Sequence, residues 1–204
     1  MHDFGMIGTL LSKEAFGAVA LILTFAAFYP YIGSILRDET RPHVFSWSIW
    51  GIGTVVVFIA QLLDGGGVGA WVIGVSGIIT LYVAVLAWIK SRDLSIVRMD
   101  WVFLVLAFSA LPLWFFTETA LSAVIVLTLV DLLGFGPSIR KAYEIPHEEN
   151  ATFFGIGALR NMFVVLALEN YSWTTVLFPA AVGIACGLFV LLITIRRRVL
   201  AVET

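Results

Sequence analysis

The chain has 204 residues, of which 60 % are hydrophobic and 13 % charged, with a mean hydropathy of +1.01. Soluble domains carry about 25 % charged residues, so the polar side chains needed to coat a water-facing globule are missing and a bilayer must supply the solvent. The net charge of −2 is uninformative, because in such a chain the placement of charge matters more than its sum, and the single cysteine, Cys186, excludes an intrachain disulfide.

Each membrane crossing needs about 20 mostly apolar residues. Apolar runs and their polar breaks predict seven spans, at 15–36, 44–63, 68–90, 100–116, 119–140, 150–168 and 173–195. Residues 1–13 have no basic start, and Lys13 and Glu14 interrupt the apolar run early. The N-terminus is therefore not read as a cleavable signal. The first span holds Pro30, the fourth is short and holds Pro112, and the fifth holds Asp131 and Pro137. The sixth holds Arg160 and Asn161.

The connections alternate in charge. One set holds Arg37 and Arg41, then Lys90, Arg92 and Arg98, then Arg140 and Lys141, then Arg196, Arg197 and Arg198. The other holds Asp64, Glu118 and Glu169, with Lys13 before them. Of the 12 Lys and Arg residues, ten fall on one side, Lys13 on the other and Arg160 within a span. Basic loops stay in the cytoplasm, which places the N-terminus outside and the C-terminus inside. The expected location is a plasma membrane or bacterial inner membrane.

A shift of 104 residues lays Tyr29–Arg92 over Leu133–Arg196 without a gap. Ser34-Ile35 falls on Ser138-Ile139, Pro42-His43 on Pro146-His147, Gly51-Ile52-Gly53 on Gly155-Ile156-Gly157, and Arg92 on Arg196. The expected fold is thus one all-α membrane domain, 1–204, of two parallel three-helix repeats. These are 15–90 and 119–195, joined by a linker helix at 100–116. Parallel repeats about an axis along the membrane normal are a standard transporter plan.

At these residues the chain resembles the SWEET and PQ-loop transporters. Tyr29-Pro30-Tyr31-Ile32, the basic turn with Arg37 and Arg41, and Ser46 at the next helix start are similar to the PQ-loop pattern. Gly136-Pro137-Ser138-Ile139, Arg140-Lys141 and Pro146 take comparable places in the second repeat. Tyr31 stands where the namesake glutamine would be. Ser76 and Ala180 stand near the places of the asparagines of sugar-carrying SWEETs. The Pnu-type vitamin transporters share the plan and are rich in tryptophan near their ligand. The resemblance implies a facilitator that moves a small polar solute, such as a sugar or vitamin, by alternating access. It also implies that Pro30, Pro42, Pro137 and Pro146 flank the cytoplasmic gate as hinges. The residues alone allow a plainer role for Pro42 and Pro146, as helix starts.

Asp131, Arg160 and Asn161 are the polar groups that cost most within lipid, at roughly 2.5–3.5 kcal/mol for a central charge. Two readings stand. Asp131 and Arg160 form a static pair, or they line a central cavity in which Arg160 or Asn161 binds solute and Asp131 is a proton site. Trp50, about two turns into the second span, and its counterpart Phe154 are candidates for an aromatic wall. Interfacial anchoring is the other reading for Trp50. The expected solute-binding residues are Trp50, Asp131, Phe154, Arg160 and Asn161. Gly51, Gly53, Gly155 and Gly157 are read as places where helices approach closely.

No catalytic residues, metal site or cofactor are expected: HExxH, GxSxG and paired intramembrane carboxylates are absent, so the chain is not read as an enzyme. Retinal would need a lysine in the seventh span, and none lies there. The competing reading is a seven-helix receptor or an accessory scaffold without transport activity. The expected partners are the lipid bilayer and the solute, with no nucleic acid and with homo-oligomers left open.

Overall fold

The structure is a computed structural model that describes residues 2–38, 44–90, 98–135, 139, 142, 143, 146–148 and 151–202. Among the described residues there are seven α-helices, one short 3-10 turn and no strand. The helices are α1 His2–Leu36, α2 Val44–Leu63, α3 Gly67–Lys90, α4 Arg98–Thr117, α5 Ala120–Leu133, α6 Ala151–Ala167 and α7 Trp173–Val202, with the 3-10 turn at Pro146–Glu148. Segments 12–36, 67–90 and 173–200 are long and apolar enough to cross a membrane. The chain is a helical membrane protein, and its surface agrees: Phe115 and Phe116 are each 79 % exposed, as a lipid-facing side chain would be.

Most helix ends agree with the apolar pattern, but α1 begins at His2 rather than 15 and α7 runs to Val202 rather than 195. The apolar run expected to reach 140 is interrupted: α5 closes at Leu133 with Gly134 as its C-cap, and Phe135 and Ile139 beyond it are again helical. Gly134 costs helix stability, and its backbone N–H bonds back to the carbonyls of Val130 and Asp131. Pro42 and Pro137 lie outside the described residues.

The helices pack as two triads of the same order. In the first, α3 lies between α1 and α2; in the second, α7 lies between α5 and α6. Between the triads, α1 packs on α6 and α2 on α5, the first of these seams being the more extensive. The linker helix α4 rests on α5 and touches α2.

The two ends of the bundle can be named by their charge. At the acidic end, Asp64 and the α2–α3 connection meet Glu169, Asn170 and Ser172 of the α6–α7 connection. At the basic end, the third helix of the first triad closes on the last carbonyl of α1, and that of the second on carbonyls of the α5–α6 connection. Lys90 Nζ donates to Leu36 O (2.8 Å) and pairs with Asp38 (2.9 Å). Arg196 Nε donates to Tyr143 O (3.0 Å), and Arg197 Nε to Pro146 O (3.1 Å).

The cores follow the same division. One core is shared between the triads and holds Ala20, Val57, Val72, Val124, Val164 and Phe178. Two smaller cores belong to one triad each and lie toward the basic end. Ile35, Val83 and Leu86 pack with Tyr31 and Trp47, and Phe189 and Ile193 pack with Phe135 and Phe154.

Candidate functional site

The charged and polar residues of the bundle centre fall on the two seams. Thr24, counted along α1 from Lys13, and Asp131, counted along α5 from Ala120, each lie about 16 Å from the acidic end, at 1.5 Å per residue. The α1–α6 seam carries Arg160. Its Nε donates to Thr24 Oγ1 (3.2 Å), one Nη to Asn161 Oδ1 (3.2 Å) and the other to Val72 O on α3 (3.4 Å). Asn161, only 3 % exposed, donates in turn to Gly157 O (2.9 Å). Arg160 therefore ties α6 to two helices of the other triad through neutral partners alone. Three of its five N–H groups are used.

The α2–α5 seam carries Asp131. Its carboxyl makes no hydrogen bond or ion pair with any described residue. It opens onto a cavity of about 10 Å³ lined by Ile49, Trp50, Gly53, Thr54, Leu127, Val130 and Phe178. Thr54 is likewise without a side-chain hydrogen bond, so two unmet polar groups share one apolar pocket, which is about large enough for a single water. Trp50 lies along α5, so close to Gly134 that a β-carbon there would meet its Nε1 at 3.2 Å. A second, apolar cavity of about 190 Å³ flanks the same seam, with α4 along its other side.

Asp131 and Arg160 do not form the static pair: no contact within 4.0 Å joins them. The five candidate residues thus separate into three places. Trp50 and Asp131 share a cavity, Arg160 and Asn161 share the α1–α6 seam, and Phe154 sits apart in an aromatic cluster.

That cluster is part of a layer toward the basic end. Trp50 packs edge-on to Trp47 (5.8 Å), Trp47 stacks on Tyr31 (5.1 Å), and Tyr31 meets Phe153 of the other triad (6.1 Å). Phe153 continues to Phe154 (5.5 Å) and Phe154 to Phe189 (4.5 Å). Trp50 and Phe154, equivalent in sequence, are thus the two limbs of one aromatic chain. Pro30 lies within α1, one residue before Tyr31, and faces outward. Pro146 opens the 3-10 turn and accepts from Arg197.

At the acidic end the two connections interlock. Val68 N–H donates to Glu169 Oε1 (3.2 Å), Glu169 N–H to Gly66 O (3.3 Å) and Asn170 Nδ2 to Asp64 O (2.7 Å), and Ser172 Oγ bonds the Asp64 carboxylate. Gly67 has φ +58°, and a β-carbon there would overlap the Glu169 carboxyl, so glycine is required twice over. Beneath this lock, Gln61 Nε2 reaches from α2 to Thr175 O on α7 (2.8 Å), while its buried Oε1 has no partner.

The sequence reading missed Thr24, Thr54 and the interlocked connections. Thr24 had a signal: the 104-residue shift carries it onto Thr128, five residues before the aligned segment begins. Both threonines are buried and bond the carbonyl four residues back, at 2.8 and 2.6 Å. Thr54 had none, since buried threonines are common in membrane helices.

The chain matches no family model, no curated protein and no solved structure.

Proposed function

We propose that the protein is a small-molecule transporter of the seven-span, three-plus-one-plus-three plan that the sequence resembles in SWEET and PQ-loop proteins. It would move a small polar solute across a plasma or bacterial inner membrane by alternating access. The basic end would face the cytoplasm and the N-terminus the outside. The observation that carries the reading is the matched helix pairing. Each triad places its third helix between the other two, and the triads meet through the equivalent pairs α1–α6 and α2–α5. This is the pairing that two parallel repeats about an axis along the membrane normal would give.

Further support comes from the layering. Asp131, Thr54, Arg160 and Asn161 lie between a polar lock at one end and an aromatic layer at the other. With about 30 Å of hydrocarbon to cross, a depth of about 16 Å puts this polar layer near the midplane. The shared core favours the acidic, outer end, and the separate cores favour the basic end. Opening to the cytoplasm would part α2 from α5 and widen the Asp131 cavity, while opening outward would break the Glu169 and Asp64 bonds. Pro30 stands where the first of these motions would bend α1, and Asp131 is the proton site if uptake is coupled.

Counterflow uptake into proteoliposomes tests the reading, over a panel of sugars, vitamins and small organic ions with and without a proton gradient. Saturable uptake of one compound, lost in Asp131→Asn, is the expected result. No uptake from folded protein would return the chain to the receptor or accessory-scaffold reading.

A further inference from the structure

Charge is the property of the central layer that a sugar or any neutral solute leaves unexplained. Two opposite charges are held at the bundle centre, each without an ionic partner among the described residues. A buried charge normally carries a counter-charge, because removing water costs far more than a neutral hydrogen bond returns. Arg160 and Asp131 could satisfy this by pairing with each other, and they do not. Thr24, Asn161 and the Val72 carbonyl hold the guanidinium on the α1–α6 seam. The carboxyl of Asp131 stays on the α2–α5 seam, facing a cavity.

What remains open on each side is specific. Arg160 has two N–H groups left, enough for a two-pronged bond to a carboxylate. Asp131 has a free carboxyl, the Thr54 hydroxyl beside it is unbonded, and the Trp50 indole forms the adjoining wall. A carboxylate, a hydroxyl and an indole face together suit an ammonium group, which donates up to three hydrogen bonds and is drawn to aromatic faces. An anion alone would leave Asp131 unmatched and a cation alone would leave Arg160 unmatched.

We infer that the central layer binds a small zwitterion, with its anionic group on Arg160 and its ammonium on Asp131, Thr54 and Trp50. This gives the transporter reading a substrate class. It also gives it a coupling device, because the ligand bridges the more extensive α1–α6 seam to the sparser α2–α5 seam. The cavity of about 10 Å³ is too small for the ligand as it stands, so binding needs the α2–α5 seam to part and then draws it closed.

The test is binding to the purified full chain, read as ligand-dependent thermal stabilisation, so that it stands apart from transport. Glycine, β-alanine and 4-aminobutanoate form a ladder of charge separation. Each is compared with its amide, which keeps only the cation, and its N-acetyl form, which keeps only the anion; glucose is the neutral control. One rung of the ladder should stabilise the protein at least about thirtyfold more tightly than either of its single-charge forms, the loss expected when one partner of a buried charge pair is removed. Asp131→Asn, which breaks no bond in the structure, should reduce binding of the zwitterion to that of its N-acetyl form. Arg160→Lys, which keeps the charge, should weaken it less than Asp131→Asn does. Stabilisation by glucose equal to that by the zwitterions, equal binding of zwitterion and single-charge forms, unchanged affinity in Asp131→Asn, or no stabilisation by any compound would each overturn the inference. Counterflow of a neutral solute without zwitterion binding sinks the inference and keeps the transporter. Zwitterion binding without uptake does the reverse.

Discussion

The α1–α6 and α2–α5 seams are equivalent under the repeat, yet they are built to opposite ends. The α1–α6 seam is extensive, polar at its acidic end and at its middle. Lys13 Nζ donates to Leu166 O (2.9 Å) and to the Tyr171 hydroxyl (2.6 Å), and Arg160 bonds Thr24 (3.2 Å). Phe16 packs on Phe163 (6.1 Å). The α2–α5 seam has fewer contacts, is flanked by both cavities and holds a carboxyl with nothing bonded to it. The two triads share one helix order, but Lys13 and Arg160 bond across α1–α6; in the proposed cycle that seam is the joint that holds and α2–α5 the joint that parts. The positions equivalent to Arg160 and Asp131 are Val56 and Ala27, so at its middle each seam carries one charge, of opposite sign.

The comparison breaks most plainly at Asp131. Because its side chain bonds no described residue, Asp131→Asn should leave unfolding stability unchanged or raised, since the swap keeps the side chain's shape and removes only its charge. Counterflow uptake should fall to background in the same protein. Stability lost together with uptake would make Asp131 a structural residue.

The paired threonines sharpen it. Thr24→Val removes the acceptor of a bond from Arg160 and should cost about 1.5–3 kcal/mol, the range for hydrogen bonds to charged groups. Thr128→Val loses only the bond to the Val124 carbonyl and should cost about 0.5–1.5 kcal/mol. Denaturant unfolding in detergent ranks the two, and equal costs would deny Arg160 its role as a tie.

The paired glycines should differ in the sign of their effect. A β-carbon on Gly51 would meet Leu81 Cδ2 at 2.6 Å and its backbone N at 3.0 Å, whereas one on Gly155 meets nothing within 4 Å. Gly51→Ala should cost about 1–3 kcal/mol by overpacking. Gly155→Ala should stabilise by up to about 1 kcal/mol through helix propensity.

These pairs also mark what the sequence could tell. Helix number and most boundaries were legible because apolar runs and polar breaks are set by length and composition alone. Asp131 and Arg160 were visible as charges in apolar runs, but their partners were not, since a guanidinium on α6 reaches Thr24 and Val72 only through tertiary packing. Gly51 and Gly155 were read alike because spacing cannot tell a close approach from an open face. The break after α5 was not read because Phe135 and Ile139, helical themselves, continue the apolar run past Gly134. The acidic-end lock was invisible, as its partners lie about 100 residues apart in two short polar connections.

The most direct test of the two-joint account is cross-linking within a Cys186→Ala background, read by counterflow. Gly53→Cys with Leu127→Cys bridges the α2–α5 seam, where a β-carbon on Gly53 would lie 3.3 Å from the Leu127 side chain. Phe16→Cys with Phe163→Cys bridges the α1–α6 seam. Oxidation should stop uptake in the first pair, with recovery on reduction, and leave the second pair active. Uptake that survives the α2–α5 cross-link, or that stops only with the α1–α6 cross-link, would contradict the account.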